Sequence, residues 1–199
     1  MTSEATQRRR RAALAAATDL FGRKGWPVAT ADEIALAAGI TKRTLYSYFG
    51  TKQGLLYEVG KSIIDVSRQR YEELSDIDGP PAEMMRTVVA GYTDLIFTFR
   101  VEYVVFLEEM KHLDDAQLVH VSEISDEWVA LVRRIVEEGQ ESGDFDTELD
   151  AIVATFTILG MLNGMVYWIR REGTTWARAD IAAQMAELVL NGLTVNKTR

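Results

Sequence analysis

The stretch from Thr41 to Lys52 is rich in hydroxyl, phenol, ammonium and guanidinium groups, which bind phosphates and the edges of bases. The guanidinium of Arg43 matches the paired acceptors of guanine, so Arg43 is the candidate for contacting a base edge. The other groups suit phosphate or sugar, where contacts position a protein without specifying sequence. Just upstream, Thr30 could offer its hydroxyl and backbone N–H to a phosphate at the start of a helix. The candidate nucleic-acid contacts are Thr30, Thr41, Lys42, Arg43, Thr44, Tyr46, Ser47, Tyr48 and Lys52.

Two short helices must hold these side chains. Thr30 and Glu33 form a capping-box pattern, and the helix that they start ends at Gly39. Thr41 can cap a second helix over 42–48, and Gly39 can supply the positive φ of a tight turn between the two. A helix-turn-helix projects the amino end of its second helix into the DNA major groove. The alternative interpretation of the same pattern is an ordinary corner between two helices. Small or apolar residues stand where the helices must pack: Ile34, Ala35, Ala38, Ile40, Leu45 and Tyr48.

The distribution of charge favours a polyanion partner for the first part of the chain only. The 199 residues carry a net charge of −8. Residues 1–53 hold nine basic and four acidic residues, a balance of +5, so residues 54–199 carry −13. This reversal indicates a basic head and an acidic body. Within the head, Arg8–Arg11 are interpreted as a flexible arm that adds electrostatic affinity, or as a solvated basic tail.

The hydrophobic pattern predicts an all-α fold of about nine helices, without an alternating strand pattern. The head, residues 1–53, is predicted to be a three-helix domain with the helix-turn-helix. The body, 54–199, is predicted to be a helical bundle, joined to the head by a helix from Lys52 to about Ser75. Helices are expected in the body over 82–99, 102–117, 122–142, 148–172 and 176–193.

Several classes of protein are disfavoured. The chain has no cysteine, which excludes disulfides, thiolate catalysis and cysteine-based zinc sites. Ala151–Ile169 is free of charge, but Asn163 and other polar residues interrupt it, which favours a buried helix over a membrane span. Glu108, His112 and Asp115 share a helical face, but no zinc motif accompanies them. We therefore expect no metal, no cofactor and no membrane partner.

The head resembles the tetracycline-repressor (TetR) family of bacterial regulators. Arg43 stands where that family often has glycine, and Gly50 replaces a more usual polar or basic residue, so the resemblance does not fix the operator sequence. It implies a cytoplasmic DNA-binding regulator, a repressor, and not an enzyme. The matching residues are Leu20-Phe21, Gly25, Thr30, Ile34-Ala35, Ala38-Gly39-Ile40-Thr41, Thr44-Leu45-Tyr46, Tyr48-Phe49, Thr51-Lys52 and Leu55-Leu56.

The resemblance also implies that the body forms a homodimer, chiefly through its last two long helices. Small residues such as Gly160 and Gly164 permit close approach of helices, and an apolar face follows in the final helix. These residues could form a four-helix bundle between two copies, or alternatively the core of a single copy. Two heads that read one duplex favour the dimer. The candidate dimer residues are Gly160, Gly164, Ile181, Met185, Leu188 and Val189.

Large apolar and aromatic side chains in the body suit an effector pocket with a few polar groups, although each alone could be core. Short pieces such as 106–109 and 138–145 resemble a branch of the family that senses acyl-CoA thioesters and related lipid or steroid catabolites. This implies a hydrophobic or amphipathic small-molecule effector. The candidate ligand contacts are Tyr103, Phe106, Met110, Trp128, Phe156, Asn163, Tyr167 and Arg170.

The sequence thus predicts a dimeric, ligand-responsive transcriptional repressor that binds double-stranded operator DNA. Two alternatives remain. The chain could be a helical interaction module whose basic head binds an acidic protein. It could also be a small helical enzyme, although the sequence has no nucleophile elbow, phosphate loop or paired-histidine metal motif.

Overall fold

The computed structural model describes residues 4–169 and 176–194, and these form helices, turns and connecting segments without a β-strand. The all-α prediction with about nine helices is confirmed. No helix in these two ranges is long and apolar enough to span a membrane. The α-helices are α1 (Glu4–Lys24), α2 (Ala31–Ala37), α3 (Lys42–Phe49), α4 (Lys52–Ser75), α5 (Pro81–Thr98), α6 (Arg100–Glu109), α7 (Asp115–Ser142), α8 (Ala151–Gly164) and α9 (Arg178–Leu193), with 3-10 turns at Met110–His112 and Met165–Tyr167.

The helices divide into two compact units. The first comprises the chain up to Asp65 together with Val101–Ser122, so it contains α1–α3, half of α4 and nearly all of α6. In this unit α1 packs on α2 and α3. The buried residues of α1 recur every three or four positions, the spacing of one helical face. They are Ala13, Ala17, Thr18, Leu20 and Phe21.

The second unit comprises Val66–Arg100 and the chain from Glu123 onward. Its main contact joins α5 to α9. Both helices bury a stripe of medium and large apolar side chains, which removes apolar surface from water and stabilises the unit. The stripe consists of Met85, Val88, Val89 and Leu95 of α5 with Ile181, Met185, Val189 and Leu193 of α9.

Several helix boundaries differ from those predicted. Helix α6 ends at Glu109 rather than at residue 117, and α8 ends at Gly164 rather than at residue 172. Two helix starts also differ. Helix α7 begins at Asp115 rather than at Ser122, because Asp114 caps it. The Asp114 carboxylate accepts from the Gln117 N–H at 2.9 Å, and the Asp114 N–H donates to the Gln117 side chain at 3.3 Å. Helix α8 begins after Asp150, whose carboxylate accepts from two backbone N–H groups. Each start therefore follows the carboxylate that satisfies the free N–H groups of the first turn.

Candidate nucleic-acid interface

Helix α2 is anchored at its start by the predicted capping box. The hydroxyl of Thr30 accepts from the Glu33 N–H at 3.2 Å, and the Thr30 N–H donates to the Glu33 carboxylate at 3.0 Å. Lys24 forms an ion pair with the same carboxylate. The hydrogen bonds from Lys24 and Thr30 lower the pKa of Glu33 from 4.5 to about 2. The backbone N–H that was predicted for a phosphate is thus already bonded to a carboxylate.

The turn between α2 and α3 has the predicted conformation. Gly39 has a φ of 65°, which a residue with a Cβ rarely adopts. The Ile40 N–H donates to the carbonyl oxygen of Ala35 at 3.0 Å, closing the turn. Thr41 then caps α3, since its hydroxyl oxygen accepts from the Thr44 N–H at 3.1 Å. These local bonds fix the angle at which α3 leaves the turn.

The first turn of α3 presents two cations in different states. Lys42 donates to the carboxylate of Asp32 on α2 at 2.8 Å, and this hydrogen bond raises the pKa of Lys42. Arg43 is exposed and makes no hydrogen bond or ion pair with any residue that the structure describes. Of this pair, Arg43 is therefore the cation available to a partner.

The other α3 residues that were predicted to contact DNA are partly buried or hydrogen-bonded within the protein. Ser47 is exposed, and its hydroxyl donates to the carbonyl oxygen of Thr44 at 2.7 Å. Tyr46 and Tyr48 are half-buried, so only part of each ring is open to a partner. The inward face of the helix holds Leu45 and Phe49, both buried. The helix therefore has one face packed on the head and one polar face toward solvent.

Lys52, at the start of α4, lies against an aromatic residue that the sequence analysis missed. Its ammonium lies 4.7 Å from the ring centre of Trp26, and it donates to the carbonyl oxygen of Pro27 at 3.3 Å. Burial lowers the pKa of Lys52, while the charge of Glu109 opposes that effect. Trp26 stands thirteen positions before Gly39 of the turn and has no local sequence signal, so only the packing identifies it. All nine predicted contacts lie in the first unit, and which of them touch DNA stays a prediction.

The predicted flexible arm is instead part of a helix. Arg8–Arg11 lie within α1, which begins at Glu4. Arg10 forms an ion pair with Glu58 at 2.6 Å, and its guanidinium lies 5.1 Å from the ring centre of Phe49. The interpretation as an arm was therefore wrong, because partners from α3 and α4 hold this turn of α1 in place.

The ligand candidates are divided between the two units. Tyr103, Phe106 and Met110 belong to the first unit, whereas the other described candidates belong to the second. Phe156 and Tyr167 have more than half of their surface exposed. Arg170 lies outside the described residues. The side chains that could bind an effector therefore remain a prediction.

Two of these candidates meet in an aromatic cluster of the second unit. The Trp128 indole N–H donates to the Ser67 hydroxyl at 2.9 Å, and the Trp128 ring stands edge-on to Tyr92 at 4.8 Å. The Tyr92 hydroxyl donates in turn to the side-chain oxygen of Asn163 at 2.7 Å. The sequence analysis missed Ser67 as a member of this cluster. Tyr92 links Trp128 to Asn163.

The dimer candidates fall on two sides of α8 and α9. Ile181, Met185 and Val189 are buried within the second unit. Leu188 is 64% exposed and lines a cavity of about 240 Å³ together with Val153, which is 61% exposed. Phe156, three residues after Val153 on α8, is 58% exposed. A Cβ added at Gly160 or at Gly164 would meet nothing within 4 Å. The exposed apolar surface is thus a stripe along α8 with Leu188 beside it.

The acidic residues considered for metal binding form no such site. Among the residues that the structure describes, no three histidine or carboxylate side chains are grouped to hold a metal ion. The ring of His112 instead stacks on that of Trp26, with 4.8 Å between their centres.

The first unit thus has a helix-turn-helix whose second helix exposes Arg43, which has no ionic partner among the described residues. This arrangement is typical of the class of helix-turn-helix DNA-binding proteins. Residues 13–59 match the family described as bacterial regulatory proteins, tetR family. Residues 78–193 match the family described as tetracyclin repressor-like, C-terminal domain. The chain belongs to the TetR family of transcriptional regulators. It is not an enzyme, as the sequence predicted.

Individual relatives agree with this family. The chain is 26% identical over 186 residues to the HTH-type transcriptional repressor KstR2 of Rhodococcus jostii, covering 93% of this chain and 91% of that protein. The ketosteroid transcriptional regulator KstR2 of Mycobacterium tuberculosis has a similar fold, with a TM-score of 0.85, 23% identity and coverage of 94% and 96%. AibR, solved in complex with isovaleryl coenzyme A and operator DNA, gives a TM-score of 0.79, 22% identity and coverage of 94% and 98%.

Proposed function

We propose that this regulator is a repressor that binds operator DNA as a homodimer and is released by a hydrophobic or amphipathic small molecule. In this proposal residues 1–53 bind the duplex, and residues 54–199 bind the effector and the second copy. Helix α4 joins the two domains. The protein acts in the cytoplasm, where bacterial operators are found.

The observation that carries the DNA-binding proposal is the state of Arg43. It stands in the first turn of α3, exposed and without an ionic partner among the described residues, while Lys42 beside it is bound to Asp32. In a helix-turn-helix, side chains at this end of the second helix reach the base edges of the major groove. A guanidinium there can donate two hydrogen bonds to guanine. Arg43 is therefore proposed to specify sequence, and the hydroxyls nearby to bind phosphate.

The proposed dimer is formed by the exposed stripe on α8 and α9. Val153, Phe156 and Leu188 are large apolar side chains with more than half of their surface exposed. Contiguous apolar surface of this kind is typical of interaction sites rather than of a free surface. A second copy is the proposed occupant, because one face used by both subunits gives the two-fold symmetry that two half-sites on DNA require. The open space at Gly160, on the same helix, allows a partner helix to approach closely.

The proposed effector site lies at the aromatic cluster around Trp128. The cluster combines flat apolar rings with a few polar groups, as ligand sites do. Two buried oxygens of the same unit, Thr93 Oγ1 and Glu127 Oε2, have no hydrogen-bond partner among the described residues. Buried polar atoms are nearly always satisfied in a complete complex, so a bound molecule could supply the missing partners. An acyl-CoA-like molecule is the proposed class, as in AibR.

The proposed release needs only a difference in affinity. If the effector binds the conformation that is unsuited to DNA better than the other conformation, it shifts the population away from the operator. Each 1.4 kcal/mol or so of that preference weakens operator binding about tenfold.

Fluorescence anisotropy on the duplex upstream of its own coding sequence tests the DNA proposal. Arg43→Ala should reduce the preference for this duplex over a scrambled one by about 5- to 150-fold, the value of a good bidentate base contact. Arg23→Ala is the matched control, because Arg23 is also exposed but lies on α1 and is paired with Asp19. Equal weakening on both duplexes would place Arg43 on phosphate instead. Failure of the wild type to bind any duplex would favour the protein-interaction alternative.

The effector and the dimer are tested separately. Titration calorimetry with long-chain acyl-CoA should give binding at micromolar concentration, and the absence of heat would contradict the acyl-CoA class. Sedimentation velocity should show a dimer for the wild type. Leu188→Glu should shift it toward monomer, because the charge would be buried in the interface. The control is Glu187→Gln, at the adjacent exposed residue that pairs with Arg86, and it should leave the dimer intact.

A further inference from the structure

The end of α6 is attached to the segments on either side of the helix-turn-helix. The ring of His112 stacks on that of Trp26 with 24° between their planes, and Trp26 lies in the loop before α2. The backbone carbonyl of His112 accepts from the side-chain amide of Gln53, in the first turn of α4, at 3.2 Å. All of these residues belong to the first unit. A residue about 60 positions after α3 thus contacts both flanks of the DNA-binding helices.

Trp26 in turn holds Lys52. The ammonium of Lys52 lies 4.7 Å from the ring centre and donates to the carbonyl oxygen of Pro27 at 3.3 Å. The indole N–H donates back to the carbonyl oxygen of Lys52 at 3.4 Å. An ammonium has three N–H donors, so two remain after the bond to Pro27. Lys52 is therefore ordered and still able to bind an oxyanion.

A buried carboxylate completes the arrangement. Glu109 is only 7% exposed, and its Oε2 lies 3.5 Å from Nε2 of His112 without a hydrogen-bond partner among the described residues. A Cβ added at Gly25 would come within 3.1 Å of the other carboxylate oxygen. The chain before Trp26 thus runs directly over Glu109. The charge of Glu109 opposes the lowering of the Lys52 pKa by burial.

The same end of α6 is tightly packed on α4. A Cβ added at Gly60 would approach Sδ of Met110 to 2.7 Å, so the lack of a side chain at Gly60 leaves room for Met110. The 3-10 turn that carries His112 is therefore held by α4 as well as by Trp26. Because the His112 ring is fixed in this way, it can hold the Trp26 ring in one orientation.

We propose that the His112–Trp26 stack positions the Lys52 ammonium for a backbone phosphate, which makes His112 a positioning residue for operator binding. This inference rests on the proposed function, because it requires that the head binds DNA. Lysine loses considerable rotamer freedom when it is fixed, and an ammonium that is already ordered loses less on binding. Without the stack, Trp26 is free to turn, and Lys52 loses the ring face that holds it.

The test is a double-mutant cycle in DNA affinity, measured by anisotropy on the upstream duplex at several salt concentrations. His112→Ala should weaken binding about threefold to tenfold and reduce the slope of log affinity against log salt by about 0.9, the value of one phosphate contact. Lys52→Ala should do the same, and the double variant should bind no more weakly than Lys52→Ala alone. His112→Phe keeps an aromatic ring and should restore both the affinity and the slope.

Controls separate positioning from folding and from general charge effects. Lys111→Ala removes an exposed cation next to His112 and should leave the slope unchanged. Titration with excess duplex gives the fraction of active protein, so partial unfolding does not imitate weaker binding. If His112→Ala does not fold, Trp26→Leu replaces it in the cycle, with the same loss of slope expected.

Distinct results overturn the inference and the proposed function. An unchanged slope, additive effects of His112→Ala and Lys52→Ala, or weak binding by His112→Phe would each overturn the positioning role while DNA binding itself stands. Absence of DNA binding by the wild type would overturn both.

Discussion

Asp32 should restrain binding to random DNA, because it holds the charge of Lys42 next to the exposed face of α3. The two side chains are joined at 2.8 Å, and both are largely exposed, so the pair is not needed to hold the helices together. Asp32→Asn keeps the shape and removes the carboxylate charge. Lys42 is then free to bind one more phosphate. We expect the variant to bind specific and scrambled duplexes more tightly at low salt, with a smaller ratio between them.

The expected magnitude follows from counterion release. One added phosphate contact steepens the slope of log affinity against log salt by about 0.9. Over a fourfold rise in salt, from about 50 to 200 mM, the variant should therefore lose about 3.5-fold more affinity than the wild type. Anisotropy titrations at four salt concentrations on both duplexes measure this slope.

The control for this experiment is Asp19→Asn, which also removes one carboxylate from an ion pair of the head. Its partner Arg23 lies on α1, away from the helix-turn-helix segments in sequence. Equal slopes for the two variants would mean that only the net charge of the head matters. A slope unchanged in Asp32→Asn would show that Lys42 makes no phosphate contact when free, and the reasoning would be refuted.

Three further predictions concern stability. The pKa of Glu33 is about 2 in the folded protein, against an ordinary value of 4.5, so the ionised carboxylate stabilises the fold above pH 4.5 and this effect is lost toward pH 2. In urea melts, Glu33→Gln should therefore reduce the change in the free energy of unfolding between these two pH values. Ser67→Ala leaves the buried Trp128 N–H without its partner and should cost about 1 to 3 kcal/mol in urea melts, whereas an unchanged midpoint would mean that the bond contributes little. In Gly39→Ala the alanine must adopt a φ of 65°, so the free energy of unfolding from thermal melts should fall by about 1 to 2 kcal/mol. An unchanged melting temperature would mean that the turn rearranges to avoid this φ.

The helix-turn-helix could be predicted from the sequence because each of its signals is local. Thr30 bonds to Glu33, and Thr41 to Thr44, each across three positions. Gly39 occupies the one turn position that needs a positive φ. Bonds between residues so close in sequence form in the same way whatever packs around them. The pattern of residue types was therefore sufficient to place α2 and α3.

The contacts that hold the basic side chains could not be predicted in this way. Arg10 bonds to Glu58, 48 positions away, and His112 stacks on Trp26 from a different helix. Such pairs exist only once the helices have packed. Local spacing shows which face of a helix is apolar, but it does not show which element covers that face.

The same limit explains why the ligand candidates include both buried and exposed side chains. Tyr103 and Phe156 are both aromatic residues at helical spacings, yet Tyr103 is 4% exposed and Phe156 is 58% exposed. An apolar stripe looks alike whether it fills a core or faces a second copy. The start of α7 is a different case, since the Asp114–Gln117 cap was a local signal that the sequence analysis passed over.

The ion pairs formed by basic residues of the head bear on how a regulator finds one site in a genome. Arg10, Arg23, Lys24 and Lys42 are each matched by a carboxylate of the same unit. A duplex of arbitrary sequence must compete with those carboxylates, so it gains less from these four residues than their charge suggests. Because random sites outnumber an operator by about 10⁶ or more, weak attachment to them leaves more protein free to reach it. Internal charge pairing therefore acts on the speed and fidelity of the search, before any base is read.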